Sequence, residues 1–438
     1  MRICIRRRGL SMVAAAVLLV CGANWMDPFF YALRPWIAPA ILGAGAVGLI
    51  RIWRSPSRSV LHTGLWLAIP VSILVVFAGC LRDRLMVSEA TEDDIAALGR
   101  HFVVGYADAG QVAPLAGQGL IGGIVLNRRN IRHRTEDQVR AEIAQLQAIR
   151  HGEGQPALIV ATDQEGGSVS HLSPILPAMP SLSEIATLPD PAGAARAYGA
   201  EQGRGLAEVG VNVDFSPVLD LKPNGPMVLD HNSLIGKRAI SADPAVVATV
   251  GSAYAKGLAD AGVIATAKHF PGLGRIRVDT HIFAAGTRVG MPQFQQADWI
   301  PFRQVLETSD AFLMLGHVTL KAIDADNPAS HSKRVVQGLI RDAWNYRGIV
   351  ITDDLDMGAI YHHGFCNAVV QSLNAGVDLL LIAYDGQQYY RAMACALDAL
   401  HRGTIDRAML EDSDRRLRGL RLGGEEKTLA ASSLRSLQ

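Results

Sequence analysis

The segment Ala267–His281, "AKHFPGLGRIRVDTH", concentrates residue types that can bind ligands or transfer protons. Lys268 and His269 end an apolar run, and Asp279 stands two residues before His281. An aspartate in this position can hold an imidazole by a hydrogen bond, fix its tautomer and raise its basicity, and histidine titrates near neutrality. The pattern favours His281 as a general acid/base with Asp279 as its partner.

Two alternatives remain open for these residues. His281 could be purely structural, or His269, Asp279 and His281 could bind a metal ion. Against a metal site, Lys268 brings a competing positive charge, and no further His or Cys is spaced to complete the ligand set. We therefore expect neither a metal ion nor an organic cofactor.

A pair of carboxylates follows another apolar run, in "GIVITDDLDM" at positions 348–357. Successive residues of a strand point to opposite sides, so at most one of Asp353 and Asp354 faces a shared centre. We assign that position to Asp353 and expect Asp354 to bind loop amides or cap the next helix. In the alternative interpretation both residues are helix caps.

Two more segments carry polar residues suited to ligand binding. In "ATDQEGG", Asp163 ends an apolar run, and the glycines that follow permit a sharp turn or a close approach of the backbone to a ligand. In "HNSLIGKRAI", Arg238 could clamp a hydroxyl or an acid group. A lone arginine at the surface is the alternative for Arg238.

Short apolar runs that end on a polar residue or glycine must position these side chains. The runs lie at 101–106, 122–127, 157–163, 211–217, 263–269, 311–317, 348–354 and 379–385. Such runs are typical of parallel strands covered by helices on both faces, and Ala- and Leu-rich amphipathic segments lie between them. Their number predicts an α/β fold, a (β/α)8 TIM-type barrel over residues 97–422, with a doubly wound open sheet as the alternative.

In a barrel the carboxyl ends of the strands meet at one mouth, where the chemistry takes place. The polar residues that would gather there are Asn127, Asp163, Lys268, His269, His317, Asp353 and Asp385.

The first 81 residues form an apolar region that predicts about three transmembrane helices, near 9–25, 29–50 and 60–81. A spanning helix needs roughly 17–25 apolar residues. Arginines precede the first segment and separate the second from the third, and basic loops tend to stay cytoplasmic. Three spans therefore place everything after Leu81 outside the cytoplasm. The alternatives are a signal peptide, or a middle segment that does not span and leaves the domain in the cytoplasm.

The remaining composition limits the partners. Residues 82–96 are polar and are interpreted as a linker, and residues 423–438 as a disordered tail. The formal net charge of +1 gives no electrostatic reason to expect a nucleic-acid partner. The five cysteines have no metal-type spacing and imply no disulfide framework.

Taken together, several motifs resemble those of glycoside hydrolase family 3, most closely its single-domain NagZ-type β-N-acetylglucosaminidases (β-hexosaminidases). The matching segments are "GLIGGIVLNRRNI", "TDQEGG", "DFSPVLD", "NSLIGKRAI", "AKHFPGLG" with "DTH", "MLGHVTL", "PASHSKRVV" and "ITDDLDM" with "LNAGVDLLLI". The pairing of "KHFPG.G" with "D.H", followed by "TDDL", is the most specific of these signals.

The resemblance implies a role for each candidate residue. Asp353 would be the nucleophile that forms a covalent glycosyl-enzyme, and His281 the acid/base, with Asp279 as its partner. The implied sugar-binding residues are Asp163, Arg238, Lys268 and His269.

The resemblance also implies an activity and a location. The expected enzyme is a membrane-anchored retaining exo-glycosidase that removes terminal β-linked N-acetylglucosamine from peptidoglycan fragments. It would lie in a bacterial inner membrane, held in the lipid by its N-terminal helices, with its catalytic domain in the periplasm or outside the cell. The alternatives are a family-3 glycosidase for another β-sugar, or a catalytically weak membrane-tethered barrel that binds glycans.

The sequence departs from the family pattern in three segments. Leu273 replaces the second histidine of KHFPGHG, and Ser168 and His171 stand where arginines often follow "DQEGG". The loop after "DTH" reads "IFAAGTR" and lacks the usual Leu-Pro. These departures leave the catalytic set intact and concern the binding of an acidic or peptide-bearing aglycone.

Overall fold

The apolar segments at the front of the chain are helical. The computed structural model describes residues 2–54, 59–225, 232–361 and 363–422, so the predicted tail at 423–438 lies outside the described residues. The chain divides into two units, Met1–Glu89 and Ala90–Gln438. The helices of the first unit are Arg2–Ala23, the 3₁₀ turn Pro28–Leu33, Arg34–Trp53 and Val60–Ser88.

Two helical stretches of the described chain, Pro28–Trp53 and Val60–Ser88, are long and apolar enough to cross a membrane by length and composition. The apolar stretch Gly9–Ala23 is shorter than that criterion requires. A few apolar side chains, among them Ile41, Trp66 and Ile69, are buried between the helices of this unit. Many others face outward; Trp36, for example, is 75% exposed.

The segment 82–96, interpreted above as a linker, is mostly helical. The helix Val60–Ser88 covers its first part, and the helix Glu92–Leu98 begins within it, with Thr91 as its N-cap. The Thr91 hydroxyl accepts a hydrogen bond from the Asp94 amide, and the Asp94 carboxylate accepts one from the Thr91 amide. This reciprocal capping box fixes the start of the second unit.

Each of the eight apolar runs contains a strand, labelled β1 to β8 in chain order. They are β1 (Phe102–Gly105), β2 (Gly123–Leu126), β3 (Ile159–Thr162), β4 (Val213–Asp214), β5 (Thr266–Phe270), β6 (Phe312–Leu315), β7 (Val350–Thr352) and β8 (Leu380–Ile382). The principal helices of this unit are Glu92–Leu98, Ala109–Gly117, Glu136–Gly152, Pro191–Val209, Pro244–Asp260, Trp299–Thr308, the π-helical Arg334–Ala343, Phe365–Ala375, Gln388–His401 and Arg407–Gly419. At least one of these helices separates each strand from the next, as the α/β prediction required.

All pairs between these eight strands are parallel. One sheet has the order β8-β1-β2-β3-β4, and a second has the order β5-β6-β7. Single bridges, Val213 with Ile264 and Ile351 with Leu379, join the neighbouring edges of the two sheets. The register of β5 against β6 shifts between Ala267 and Phe270, the stretch that carries Lys268 and His269.

Apolar side chains from alternate positions of the strands pack together in one buried core cluster. This cluster includes Val103, Val125, Ile159, Ala161, Val213, Phe312, Met314, Ile351 and Leu381. Strands buried on both faces explain why the runs are apolar throughout rather than alternating.

The cysteine spacing implied no disulfide framework, but the described structure contains a disulfide bond. Cys366 and Cys395 are bonded, with their Cα atoms 5.4 Å apart. They lie on Phe365–Ala375 and Gln388–His401, two helices that follow consecutive strands and pack side by side. Sequence spacing did not reveal the pair because tertiary packing creates it.

Candidate active site

The carboxyl ends of the parallel strands bring together most of the predicted site residues. Asp163 directly follows β3, Asp353 directly follows β7, and Lys268 and His269 lie within the last part of β5. The peptide bond between Lys268 and His269 is cis. Lys268 Nζ lies 2.5 Å from Asp163 Oδ1, so two of the predicted sugar-binding residues are in direct contact.

Glu165 is the centre of a charge network that sequence reasoning missed. Its Oε1 lies 2.7 Å from Lys268 Nζ and 2.5 Å from Arg238 Nη2, and its Oε2 accepts a hydrogen bond from Arg238 Nε at 2.9 Å. Glu165 stands two residues after Asp163 in the "ATDQEGG" motif, and that position was the available signal. The network holds one lysine and one arginine beside Asp163 and Glu165.

The electrostatics of this network follow from burial and charge. Burial alone would raise the pKa of Glu165, but the charges of Arg238 and Lys268 lower it well below its usual range. Burial opposes the charged form of Arg238 and Lys268, yet their carboxylate partners raise the pKa of both. All three groups are therefore charged at neutral pH.

His269 is held by a second carboxylate that the sequence did not reveal. Asp220 Oδ2 lies 2.7 Å from His269 Nδ1, and Asp220 Oδ1 accepts a hydrogen bond from the Leu273 amide at 2.6 Å. Asp220 is fully buried. Because Nδ1 is engaged with Asp220, Nε2 is the nitrogen that lies near Arg238, at 3.5 Å from Nη2.

His281 and Asp279 form the predicted pair. His281 Nδ1 lies 2.8 Å from Asp279 Oδ1, and Asp279 Oδ2 accepts a hydrogen bond from the Asn232 amide at 2.8 Å. Burial would lower the pKa of His281, but the hydrogen bond to Asp279 and the nearby charge of Asp353 raise it above its ordinary value. Burial would raise the pKa of Asp279, but its hydrogen bonds lower it, so this carboxylate is ionised. Among the residues that the structure describes, none forms a hydrogen bond with His281 Nε2, and the side chain is 41% exposed.

Asp353 and Asp354 have different surroundings. Asp354 Oδ1 accepts hydrogen bonds from the amides of Ala383 and Asp356, at 3.0 and 3.1 Å, and its Oδ2 accepts one from Tyr384 at 2.9 Å. Asp353 Oδ1 accepts one from the Asp354 amide at 2.8 Å. Asp354 therefore binds the loop after β8, while Asp353 has histidines as its neighbours.

Histidines set the charge of Asp353. Burial would raise the pKa of Asp353, but the neighbouring His269, His317 and His281 and the hydrogen bond from the Asp354 amide lower it. His317 itself is buried, and burial lowers its pKa. Its Nε2 lies 2.9 Å from the Asp354 carbonyl oxygen, so Nε2 carries the proton and Nδ1 accepts from the Ser330 hydroxyl at 2.8 Å.

Leu273, Ser168 and His171, which depart from the family pattern, lie close to this site. His171 Nδ1 is 3.8 Å from Asp163 Oδ2, and burial lowers the pKa of His171. Arg128, an exposed residue that follows β2, reaches the Ser168 carbonyl with Nη2 at 3.5 Å. Leu273 is 4% exposed and packs in an apolar cluster with Ile235.

Charge and geometry indicate what the arrangement can do. Nothing in the described part of the chain groups three His, Cys, Asp or Glu side chains so that they could hold a metal ion. An ionised carboxylate, a histidine with raised pKa and a set of fixed cations suit polar substrates that undergo nucleophilic attack with proton transfer. These features suit a hydrolase of α/β architecture.

Comparison with known proteins identifies the family. The sequence profile described as "Glycosyl hydrolase family 3 N terminal domain" matches residues 91–420. The chain therefore belongs to glycoside hydrolase family 3 and is a glycosidase, as the motifs predicted.

Individual relatives agree with this assignment. A protein named β-hexosaminidase from Nitrosomonas eutropha is 36% identical over 272 residues, which cover 61% of this chain and 74% of that relative. Another β-hexosaminidase, from Pseudomonas aeruginosa, is 33% identical over 277 residues, covering 63% of this chain and 78% of the relative.

Solved structures give the same result. A family 3 β-N-acetylglucosaminidase from Paenibacillus sp. is 30% identical, with a TM-score of 0.68, over 74% of this chain and 61% of that chain. A β-N-acetylhexosaminidase from Beutenbergia cavernae is 28% identical, with a TM-score of 0.66, over 76% of this chain and 98% of that chain.

Proposed function

We propose that the protein is a retaining β-N-acetylhexosaminidase that removes terminal β-linked N-acetylglucosamine. The relatives named as β-hexosaminidases support this activity, because they are at least 33% identical over more than 270 residues. The observation that carries the proposal is the pairing of His281 with the ionised Asp279, together with the charge of Asp353 acting on the same imidazole.

The proposed architecture is a closed (β/α)8 barrel. The two parallel sheets and the bridges that join β4 to β5 and β7 to β8 support closure. Closure would place Asp163, Lys268, His269 and Asp353 around one mouth, since active sites of such barrels lie at the carboxyl ends of the strands.

In the first step, the Asp353 carboxylate attacks the anomeric carbon and forms a glycosyl ester. The bond to the leaving oxygen breaks as His281 donates its Nε2 proton to that oxygen. In the second step, Nε2 takes a proton from water, the water oxygen attacks the anomeric carbon, and the ester to Asp353 breaks. Asp279 holds Nδ1 throughout and stabilises the imidazolium. Two inversions retain the β-configuration, the same outcome as in retaining enzymes that use two carboxylates.

Sugar binding is assigned to the fixed polar groups around Asp353. Asp163 accepts hydrogen bonds from sugar hydroxyls, Arg238 and Lys268 donate to sugar oxygens, and His269 donates to an oxygen or accepts from a hydroxyl. Glu165 joins this set as the residue that holds Arg238 and Lys268 in place. A site built on fixed hydrogen-bond partners discriminates strongly against sugars that lack the matching groups.

We further propose that the natural substrates are peptidoglycan fragments. Such a substrate carries acidic groups beyond the cleaved bond. Although Ser168 and His171 replace arginines of the family pattern, Arg128 reaches over Ser168 from the neighbouring strand end and supplies an exposed cation there. That cation supports an acidic aglycone.

The proposed location is a bacterial inner membrane, with three spans at 9–25, 29–50 and 60–81 in contact with lipid and the catalytic unit outside the cytoplasm. Two stretches long and apolar enough to span, and their exposed apolar side chains, support the anchor. The Cys366–Cys395 bond supports the orientation, because disulfides persist in the periplasm and outside cells rather than in the cytosol.

A panel of aryl β-glycosides incubated with the full-length protein in detergent tests the activity. Fast turnover of the N-acetylglucosaminide, with slow turnover of the glucoside and xyloside, is the expected result. Faster turnover of another sugar would contradict the proposed N-acetylglucosaminide substrate. The absence of turnover on every glycoside would favour the alternative of a protein that only binds glycans. Proton NMR of the first-formed product tests retention, which requires the β-anomer.

The topology has its own test. An alkaline phosphatase fused to the carboxyl terminus should be active in whole cells, whereas a fluorescent protein that requires the cytosol should remain dark. The opposite pattern would place the catalytic unit in the cytoplasm. Peptide mapping of the native protein without reductant should recover the peptides of Cys366 and Cys395 as one linked species.

A further inference from the structure

A small apolar cluster joins the loop that carries Arg238 to the loop that carries His281. Ile235 and Ala239 lie on either side of Arg238 in sequence, and Leu273 and Ile276 precede Asp279. These four apolar side chains pack together, and none is more than 4% exposed. Arg238, which is proposed to bind the sugar, and His281, the proposed acid/base, thus lie on segments that share one apolar cluster.

The same cluster extends to the loop after β6. Ala285 and Val318 belong to it and are direct partners in a parallel pair of short strands, Ala285–Thr287 and Val318–Leu320. Val318 follows His317, whose ring is bonded to the Asp354 carbonyl next to the proposed nucleophile. Three loops around the mouth therefore converge on one set of apolar contacts.

Leu273 has a central place in this cluster. Its amide is bonded to Asp220, the partner of His269, so its backbone is fixed to the sugar-binding side. Its carbonyl accepts a hydrogen bond from the Ile276 amide at 2.9 Å, which closes a turn toward Asp279. A change in the volume of the Leu273 side chain would be transmitted to the turn that leads to His281.

The far side of the His281 loop depends on main-chain contacts. The His281 carbonyl accepts a hydrogen bond from the Gly358 amide at 2.7 Å, and the Thr280 carbonyl accepts one from Ala359 at 3.3 Å. A Cβ atom on Gly358 would lie 2.5 Å from the Ile282 carbonyl oxygen, closer than side-chain carbons come, so glycine is required there. The loop is held at one end by backbone bonds and at the other by the packing of Leu273.

We propose that Leu273 is a positioning residue for His281. Its packing against Ile235 and Ala239 fixes the position of the loop that carries His281 relative to Arg238. The loop is therefore already in place when the sugar binds. This inference rests on the proposed function in assigning proton transfer to His281. A displacement of about 1 Å in a catalytic group can cost about 10²-fold in rate, so loss of this packing should act on the proton-transfer step.

The experiment compares substrates that differ in their need for a proton. A 2,4-dinitrophenyl leaving group departs without protonation, whereas an alkyl leaving group requires it. Full-length wild type, Leu273→Ala, Leu273→Val and Leu273→Met are assayed on both β-N-acetylglucosaminides, and His281→Ala serves as the reference. Leu206→Ala, in a buried position on Pro191–Val209 far along the chain from these loops, is the matched packing control.

We expect Leu273→Ala to lower kcat/KM for the alkyl glycoside by about 10–100-fold and for the dinitrophenyl glycoside by less than about 3-fold. Leu273→Met should keep both values near wild type, because it conserves volume and apolarity. Leu206→Ala should reduce thermal stability and leave the ratio between the two substrates unchanged.

Azide gives an independent readout. Azide attacks a glycosyl-enzyme without needing a base, so it should raise the kcat of Leu273→Ala and His281→Ala on the dinitrophenyl substrate and yield a glycosyl azide. A residue with a merely structural role gives neither the leaving-group dependence nor this rescue.

The outcomes separate the two proposals. If His281→Ala affects both substrates equally, the acid/base assignment is wrong and the role of Leu273 falls with it. If His281→Ala shows the dependence and Leu273→Ala does not, only the role of Leu273 is overturned. If Leu273→Ala fails to fold, Leu273→Val decides: an unchanged ratio between the substrates overturns the proposal, and a smaller shift in the same direction supports it.

Discussion

Glu165 binds Arg238 through both carboxylate oxygens, with Oε2 2.9 Å from Nε and Oε1 2.5 Å from Nη2. The same Oε1 lies 2.7 Å from Lys268 Nζ, whose side chain is 1% exposed. One buried acid therefore fixes two cations. If Glu165 were neutral, Arg238 would lose this carboxylate partner, and Lys268 would keep only Asp163.

Glu165→Gln should weaken both binding and stability. The substitution keeps the size of the side chain and removes the charge, so two buried cations lose a partner. Breaking a buried ion pair in this way costs about 3–5 kcal/mol in the free energy of unfolding. Denaturant unfolding measures this loss, and KM for the aryl N-acetylglucosaminide should rise. Glu201→Gln, at an exposed position, is the control and should change neither value.

Asp279→Asn should shift the pH profile of kcat/KM. In the proposed mechanism His281 acts first as an acid, so activity should be lost as pH rises through its pKa. Burial would lower that pKa, but Asp279 and Asp353 raise it, so the alkaline limb of the wild type lies above the ordinary histidine value of about 6.5. Without the Asp279 charge the alkaline limb should move to lower pH.

The acid limb gives an internal reference for this experiment. It reports ionisation of Asp353, whose pKa burial would raise but the surrounding histidines lower. It should move much less in Asp279→Asn than the alkaline limb does. An alkaline limb that stays in place would mean that His281 does not titrate in the rate-limiting proton transfer.

Asp353→Asn should mainly reduce turnover, whereas Asp354→Asn should mainly reduce stability. Asp353→Asn should lower kcat by about 10⁴-fold or more, the scale seen when a nucleophile or base is removed from a hydrolase, while the protein stays folded. Asp354→Asn should lower the free energy of unfolding by about 1–3 kcal/mol, because the NH2 that replaces one carboxylate oxygen cannot accept, so at least one of the hydrogen bonds from the amides of Ala383, Asp356 and Tyr384 is lost. Thermal unfolding and steady-state kinetics of the two variants distinguish these roles. Equal loss of turnover in both variants, with equal stability, would contradict the assignment.

Asp378 should be among the most stabilising residues at the opposite ends of the strands. Its Oδ2 accepts from Arg341 Nη2 and the Val350 amide, both at 2.7 Å, and its Oδ1 accepts from Ser413 and Arg416, at 2.7 and 2.8 Å. Asp378→Ala leaves buried donors unpaired and should cost about 3–5 kcal/mol in the free energy of unfolding.

The exposed ion pair of Asp260 with Arg196 is the matched control for Asp378. Asp260→Ala should leave the unfolding midpoint nearly unchanged, because solvent screens exposed pairs. Similar losses in Asp260→Ala and Asp378→Ala would show that the buried network is not a major source of stability.

Features that depend on local pattern were predictable from the sequence. The positions of β1 to β8 follow from unbroken apolar runs, because strands buried on both faces leave no polar side. The different surroundings of Asp353 and Asp354 follow from the alternation of side chains along a strand end. The pairing of Asp279 with His281 follows from their spacing on a short turn.

Features that depend on distant partners were not predictable. Glu165 and Asp220 are acids like many others in the sequence. They become candidate site residues only because Arg238 contacts Glu165 across 73 positions and His269 contacts Asp220 across 49 positions. The Cys366–Cys395 bond likewise requires knowledge of which helices are neighbours. The shift in β5 register at Lys268 arises from tertiary pairing with β6 rather than from propensity.

The support of His281 by the amide of Gly358 has an evolutionary consequence. The bond joins main chain to main chain, so it is indifferent to the identity of most side chains around it. Ile282 and Phe283, which follow the proposed acid/base His281 and are 46% and 39% exposed, can therefore vary and change which leaving groups the enzyme accepts. Selection could diversify the aglycone preference at these positions while the spacing of the two reactive groups stays constant, provided that position 358 remains glycine.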